Sequence, residues 1–151
     1  MASTFTPITV KVKRLHAKAK LPQYQTDGAA GADVCAFLDK PFLLAPMQVA
    51  AIPTGLQLEI PHGWEIQIRP RSGLALNNGL IVPNSPGTID SDYRGELKIL
   101  LLNSSPVTFT VEPGMRVAQL VLAPSVQAHF IESHALSDTK RGKGGFGSTG
   151  R

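Results

Sequence analysis

The sequence contains one cysteine, Cys35. It has no partner for an internal disulfide and no cysteine cluster for zinc. A reducing, cytoplasmic compartment is the expectation that follows. No apolar run approaches the roughly 18 residues of a membrane span; Ile99 to Leu102 is the longest obvious one. Lys11, Lys13, Arg14, Lys18 and Lys20 interrupt the N-terminal region, so it has no apolar signal core. The first 20 residues also lack any acidic residue against five Lys/Arg, whereas residues 21–151 carry ten Lys/Arg and eleven Asp/Glu. The pI of 9.5 therefore belongs to the first segment, and no stable nucleic-acid partner is expected of the domain as a whole.

What is abundant is Gly and Pro, 14 and 12 among 151 residues. Both weaken helix interiors, so long helices are disfavoured. The length suits one domain with its own core. Ile8, Val10 and Val12 alternate with polar neighbours, the period of a half-buried strand. The same period recurs in Leu56, Leu58 and Ile60; in Trp64, Ile66 and Ile68; in Val107, Phe109 and Val111; and in Val126, Ala128 and Phe130. Leu97–Leu102 and Val117–Leu122 are more continuously apolar, which predicts strands buried on both faces. Prolines and Pro-Gly pairs fall between nearly all of these segments. The pattern predicts an all-β fold, a jelly-roll-like sandwich or barrel. Only Ser72 to Asn78 reads as a short helix, with Gly79 as its stop. The domain is expected to span 1–136. Residues 137–151 are polar and Gly-rich, with too little apolar surface to pack alone, and are expected to form a mobile arm.

Five segments carry candidate chemistry. Gly28-Ala29-Ala30-Gly31-Ala32-Asp33 permits tight turns and offers a carboxylate suited to Mg²⁺ or its waters; an ordinary Asx turn is the plainer alternative. Arg69-Pro70-Arg71-Ser72-Gly73 places a forked cation, a hydroxyl and an open amide at a helix start, a set suited to phosphate. A plain N-cap is the alternative there. The segment from Asn84 to Glu96 reads as a hairpin. Asn84 can read a base edge, Asp90 can act as a general base, and Tyr93 offers a flat face to a sugar. Gln119 interrupts an apolar strand, and its amide requires either a structural partner or a ligand. Arg141 to Gly150 combines glycine amides, Arg141, Lys143 and Phe146, which suits an anion and a stacked base.

Taken in order, these five segments resemble the five motifs of the trimeric deoxyuridine triphosphate nucleotidohydrolase (dUTPase) family, from Ala29 to Gly150. Arg71-Ser72-Gly73-Leu74-Ala75, the run from Gly87 to Gly95 and the run from Arg141 to Gly150 carry most of the likeness. The resemblance implies a homotrimer with three sites at subunit interfaces. It also implies hydrolysis of dUTP to dUMP and pyrophosphate with Mg²⁺. Asp90 would activate the attacking water. Asn84, with backbone at Thr88, Ile89 and Asp90 and near Lys98, would read uracil and the 3′-hydroxyl. Tyr93 would lie under deoxyribose, and Arg71, Ser72 and Gly73 would hold phosphates. Asp33 and Gln119 would orient metal-bound water, Gln119 also phosphate. Arg141, Phe146, Gly147 and Ser148 would close over a neighbouring subunit's site. Ala32 departs from the family in being smaller than its usual apolar residue, which bears on packing.

Two rival readings stand beside this one. A dCTP deaminase of the same fold needs a glutamate after the hairpin, where this chain has Leu100; leucine cannot shuttle protons. A non-catalytic RNA-binding β module would use the basic first segment and the Gly-rich tail, but leaves Asn84, Asp90 and Tyr93 without a purpose.

Overall fold

The computed structural model describes residues 7–148. Eleven strands and one helix run in the order β1 (Lys11–Arg14), β2 (Ala32–Cys35), β3 (Phe42–Leu44), β4 (Val49–Pro53), β5 (Leu56–Glu59), β6 (Trp64–Arg69), α1 (Ser72–Asn78), β7 (Leu80–Ile81), β8 (Gly87–Ile89), β9 (Lys98–Asn103), β10 (Phe109–Val111) and β11 (Arg116–Pro124). The segments from 149 onward and before 7 lie outside the described residues, so the expectations placed on Thr149 and Gly150 do too. No described helix is long and apolar enough to cross a membrane.

Every strand pairing is antiparallel. The central sheet has the order β2-β11-β6-β8, a second sheet β4-β9-β7, and two ribbons pair β1 with β5 and β10 with β3. Neighbours distant in sequence pair directly, as in a jelly-roll-like all-β fold. Alternate side chains of each strand enter one core. Val34, Leu44, Leu56, Ile99 and Val111 are fully buried there, with Ile52, Leu101 and Val117 almost so. Its main polar member is Asn103, whose amide donates to the carbonyls of Leu44 (2.9 Å) and Val107 (2.8 Å) and accepts from the backbone N–H of Ser105 (3.0 Å). A buried amide so satisfied costs little and fixes the β9–β10 connection.

Four of the strand expectations differ from the structure. The first strand begins at Lys11, and Ile8 stays exposed. β10 begins at Phe109, with Val107 exposed. Leu97–Leu102 buries one face fully, while Leu100 and Leu102 on the other are half-buried; in Val117–Leu122, Val117, Ala118 and Leu120 are buried, Val121 on the opposite face to Leu120 is half-buried, and Leu122 is half-buried at the edge of the core. Val126 to Phe130 is no strand. It has no ladder partner among the described residues, and Val126 and Phe130 are each 91% exposed.

The helix forms where expected. Gly79 follows it at φ 64°, and its N–H reaches the carbonyls of Ala75 and Leu74, closing the last turn. The residue ahead of the helix is Arg71, in extended conformation and with no side-chain cap, so Ser72 is the first helical residue rather than the cap.

Candidate active site

β6 organises the site, because two of the candidate motifs are tied to it. Beyond its C-terminal end the chain continues through Pro70 to Arg71. β11 lies beside β6 with Gln119 opposite Arg69, and β2 lies beside β11 with Asp33 opposite Gln119. This register brings residues of three motifs into one cluster. Arg71 Nε lies 3.2 Å from Asp33 Oδ1, and Arg116 Nη1 lies 3.0 Å from Asp33 Oδ2. Arg71 Nη1 also donates to the Arg116 carbonyl at 3.2 Å. The Asp33 side chain is only 12% exposed, so its two oxygens are held by two guanidiniums in a partly desolvated setting. Two cations and one anion leave the cluster with a surplus positive charge, suited to phosphate oxygens.

Gln119 fixes the approach to this cluster. Its Nε2 donates to the Pro70 carbonyl at 3.0 Å, one residue before Arg71. The side chain crosses directly over Gly31. A Cβ there would collide with Gln119 Oε1 and lie 2.9 Å from its Cδ. Gly31 is therefore glycine because an amide side chain occupies the space above it. The sequence suggested a buried amide; Gln119 is half-buried, and its partner is backbone.

The segment read from the sequence as a hairpin is not one: its two flanking strands lie in different sheets, β8 pairing with β6 and β9 with β4 and β7, because each finds its ladder partner elsewhere in the chain. β8 pairs with β6 through Ile66–Ile89, Gln67–Thr88 and Ile68–Gly87. Gly87 is buried, and Asn84 Nδ2 stands 3.0 Å from where its Cβ would be. Asn84, Thr88 and Asp90 are exposed, Ile89 is half-buried, and the Asn84 and Asp90 side chains make no hydrogen bond among the described residues. Asp90 borders a cavity of about 310 Å³ together with His62, Trp64 and Glu65. The Asp90 carbonyl accepts from the Tyr93 N–H at 3.2 Å, closing the turn. The Tyr93 ring lies over Gly95, where any side chain would strike it, and its hydroxyl donates to the Glu96 carbonyl at 3.1 Å. Lys98 opens β9 with its side chain exposed.

The predicted residues thus fall into separate groups. Asp33, Arg71 and Gln119 are together, with Ser72 and Gly73 next in the chain. Asn84, Thr88, Ile89, Asp90 and Tyr93 lie on β8 or in the turns that flank it. From Glu65, beside Asp90, to Arg71 is six residues of extended chain, roughly 20 Å at about 3.3 Å per residue. A single protomer does not bring Asp90 and Arg71 together. Arg141, Phe146, Gly147 and Ser148 form a third group. Arg141 Nε donates to the Gly144 carbonyl at 2.8 Å, and Phe146 is fully exposed with φ 50°. Residues 125–148 contain no strand or helix.

The sequence reading missed Arg116 as the second partner of Asp33, although it lies in the same segment as Gln119. It also missed a polar ladder on the outward face of β6. Arg69 Nη2 donates to Gln67 Oε1 at 2.8 Å, and Gln67 Nε2 to Glu65 Oε1 at 2.9 Å. The signal was there in the alternation of Glu65, Gln67 and Arg69.

For a metal, the donors are sparse. Among the described residues no three His, Cys, Asp or Glu side chains converge. Asp33 is the one carboxylate in the phosphate-suited cluster, and both its oxygens are engaged. This does not make an all-protein cage. It fits Mg²⁺ carried on a polyphosphate and touched through water, which is how this hard cation is ordinarily held.

Fold and site together define a jelly-roll-like β protein with an anion-receiving cluster at the C-terminal end of β6 and an exposed carboxylate, Asp90, beside its N-terminal end. The dUTPase family model matches residues 17–150. Deoxyuridine 5′-triphosphate nucleotidohydrolase of Chlamydia pneumoniae is 56% identical over 137 residues, 90% of this chain and 94% of that protein. The counterpart of Chlamydia trachomatis serovar L2 is 54% identical over 138 residues, 91% and 95% respectively. Among solved structures, Staphylococcus bacteriophage 80alpha dUTPase with dUPNHPP superposes with a TM-score of 0.85 at 26% identity, covering 95% of this chain and 99% of that one. The chain belongs to the dUTPase family, and its relatives are nucleotide-hydrolysing enzymes.

Proposed function

We propose that the protein hydrolyses dUTP to dUMP and pyrophosphate, with the triphosphate presented as its Mg²⁺ complex. The family match from residue 17 to 150 carries this reading, since it embraces every segment of the candidate site. Asp90 accepts a proton from water as the water oxygen bonds to the α-phosphorus. The bond from that phosphorus to the bridging oxygen breaks, and pyrophosphate leaves with the electron pair. Arg71, Ser72 and Gly73 hold the departing phosphates, and Asp33 keeps the Arg71 fork aimed. Gln119 and Asp33 reach the water shell of the cation, which offsets triphosphate charge when bound. Asn84 and the backbone at Thr88, Ile89 and Lys98 receive the base. An amide matched to uracil strands a polar atom against the wrong base. Tyr93 packs against the sugar.

The separation along β6 supports completion of each site by more than one subunit. α- and β-phosphates are adjacent, whereas Asp90 and Arg71 lie at opposite ends of one strand. We assign a homotrimer on that ground and on the family. The unpartnered Val126–Phe130 segment and the arm from 137 would then reach a neighbour. Arg141, Phe146, Gly147 and Ser148 would cover the bound nucleotide and exclude water.

The test is pyrophosphate release from dUTP, UTP, dTTP and dCTP, with and without Mg²⁺. Release from dUTP alone, strongly enhanced by Mg²⁺, is expected. Ammonia release from dCTP would replace this reading with deamination.

A further inference from the structure

The basic first segment has no part in the proposed reaction, yet the fold gathers three of its five cations into one place. Arg14, Lys18 and Lys20 border a concave cavity of about 350 Å³ together with Arg116, Asp33 and Cys35. Four cations face it against one carboxylate, and that carboxylate is already shared by Arg116 and Arg71. Among the described residues, Arg14, Lys18 and Lys20 have no carboxylate in ion-pair contact. The Lys20 ammonium has only the Gly114 carbonyl, at 3.5 Å. Lys18 and Lys20 also border an adjoining cavity of about 330 Å³ that adds Asp39. Unpaired cations converging on a concavity raise the local potential and draw in a compact anion.

We propose that this cleft is a second polyphosphate site, for inorganic pyrophosphate, sharing the Asp33–Arg116 wall with the Arg71 cluster. Asp33 and Arg116 face the cleft on one side and hold Arg71 on the other. A pyrophosphate leaving Arg71 therefore has a cationic station next to it. The source of that pyrophosphate rests on the proposed dUTP hydrolysis; the binding itself does not. Cys35 provides a built-in reporter, being half-buried in the cleft wall and the only cysteine in the chain. Burial raises its thiol pKa, and the Lys20 charge opposes that rise.

The experiment titrates the full-length protein with inorganic pyrophosphate while saturating dUPNHPP occupies the substrate site. A remaining binding event that weakens with salt is expected. Lys18→Gln with Lys20→Gln should lower its affinity by about tenfold or more, through loss of two charge-assisted contacts. Turnover of dUTP without added pyrophosphate should stay within about twofold, as for surface substitutions. In parallel, pyrophosphate should slow alkylation of Cys35 by iodoacetamide in the parent and not in the double variant. The proposal is overturned if no binding remains beside dUPNHPP, if the variant binds as the parent does, or if a single-stranded oligonucleotide protects Cys35 better than pyrophosphate. Absence of dUTP hydrolysis would instead defeat the proposed function and leave the titration readable.

Discussion

At its C-terminal end β6 leads into a cluster whose charges already have partners: Asp33 holds Arg71 and Arg116, and Gln119 holds the Pro70 carbonyl. Toward its N-terminal end β6 is flanked by β8, and the Asn84 and Asp90 side chains on either side of β8 are exposed, with no hydrogen-bond partner among the described residues. The first end is pre-organised. Its guanidiniums are aimed before a phosphate arrives, so little reorganisation accompanies binding, and positioned charge is what phosphoryl transfer needs most. The second end is a set of unmatched donors and acceptors, suited to a base and a water that come with the ligand. The two ends should therefore fail in different ways when altered.

The largest effect belongs to the unpaired end. Asp90→Asn removes the proposed proton acceptor while preserving shape. Turnover should fall by about 10² to 10⁴-fold, the usual contribution of a general base, with dUPNHPP affinity and melting temperature nearly unchanged. Asp90 has no ion pair in the protomer to lose. Steady-state kinetics and calorimetry decide it: near-normal turnover would remove Asp90 from catalysis, and a large loss of stability would show that this end is as interlocked as the other.

An intermediate effect belongs to the paired end. Gly31→Ala puts a methyl where Gln119 lies. The amide must swing away from Pro70, at a cost of about 1 kcal/mol for one hydrogen bond, or roughly fivefold in kcat/KM. In a Gln119→Ala background the same substitution should cost almost nothing, because its target is gone. Equal losses in both backgrounds would mean that Gly31 acts on the turn itself and not through Gln119.

Much of this was readable from the chain, for identifiable reasons. The helix at Ser72–Asn78 was legible because Gly79 supplies a left-handed stop. Leu56–Ile60 and Trp64–Ile68 were legible because alternation reports a ribbon with one buried face. The same alternation misled at Val126–Phe130, since periodicity says which face is apolar but not whether a partner strand exists. The motifs themselves were visible in sequence, but their grouping was not. Asp33 and Arg116 are 83 residues apart, and only the β2–β11–β6 register brings them to Arg71. Likewise, the distance between Asp90 and Arg71 follows from β8 pairing antiparallel to β6, which no local pattern encodes.

The smallest effect tests whether the two ends are mechanically joined. The outward ladder from Arg69 through Gln67 to Glu65 is a side-chain connection running along β6 between them. If it transmitted position, Gln67→Ala would disturb both ends at once. The ladder is half-exposed, and both Arg69 and Glu65 can turn to water when Gln67 is shortened. Its two hydrogen bonds should be worth about 1 kcal/mol together in stability, and kcat/KM should stay within about twofold. Pairing with Asp90→Asn in a double-mutant cycle sharpens the result, because independent ends give additive effects. A coupling energy well above about 0.5 kcal/mol would show that the cluster and the β8 side are set by one strand-long device, and the contrast between them would be one of degree.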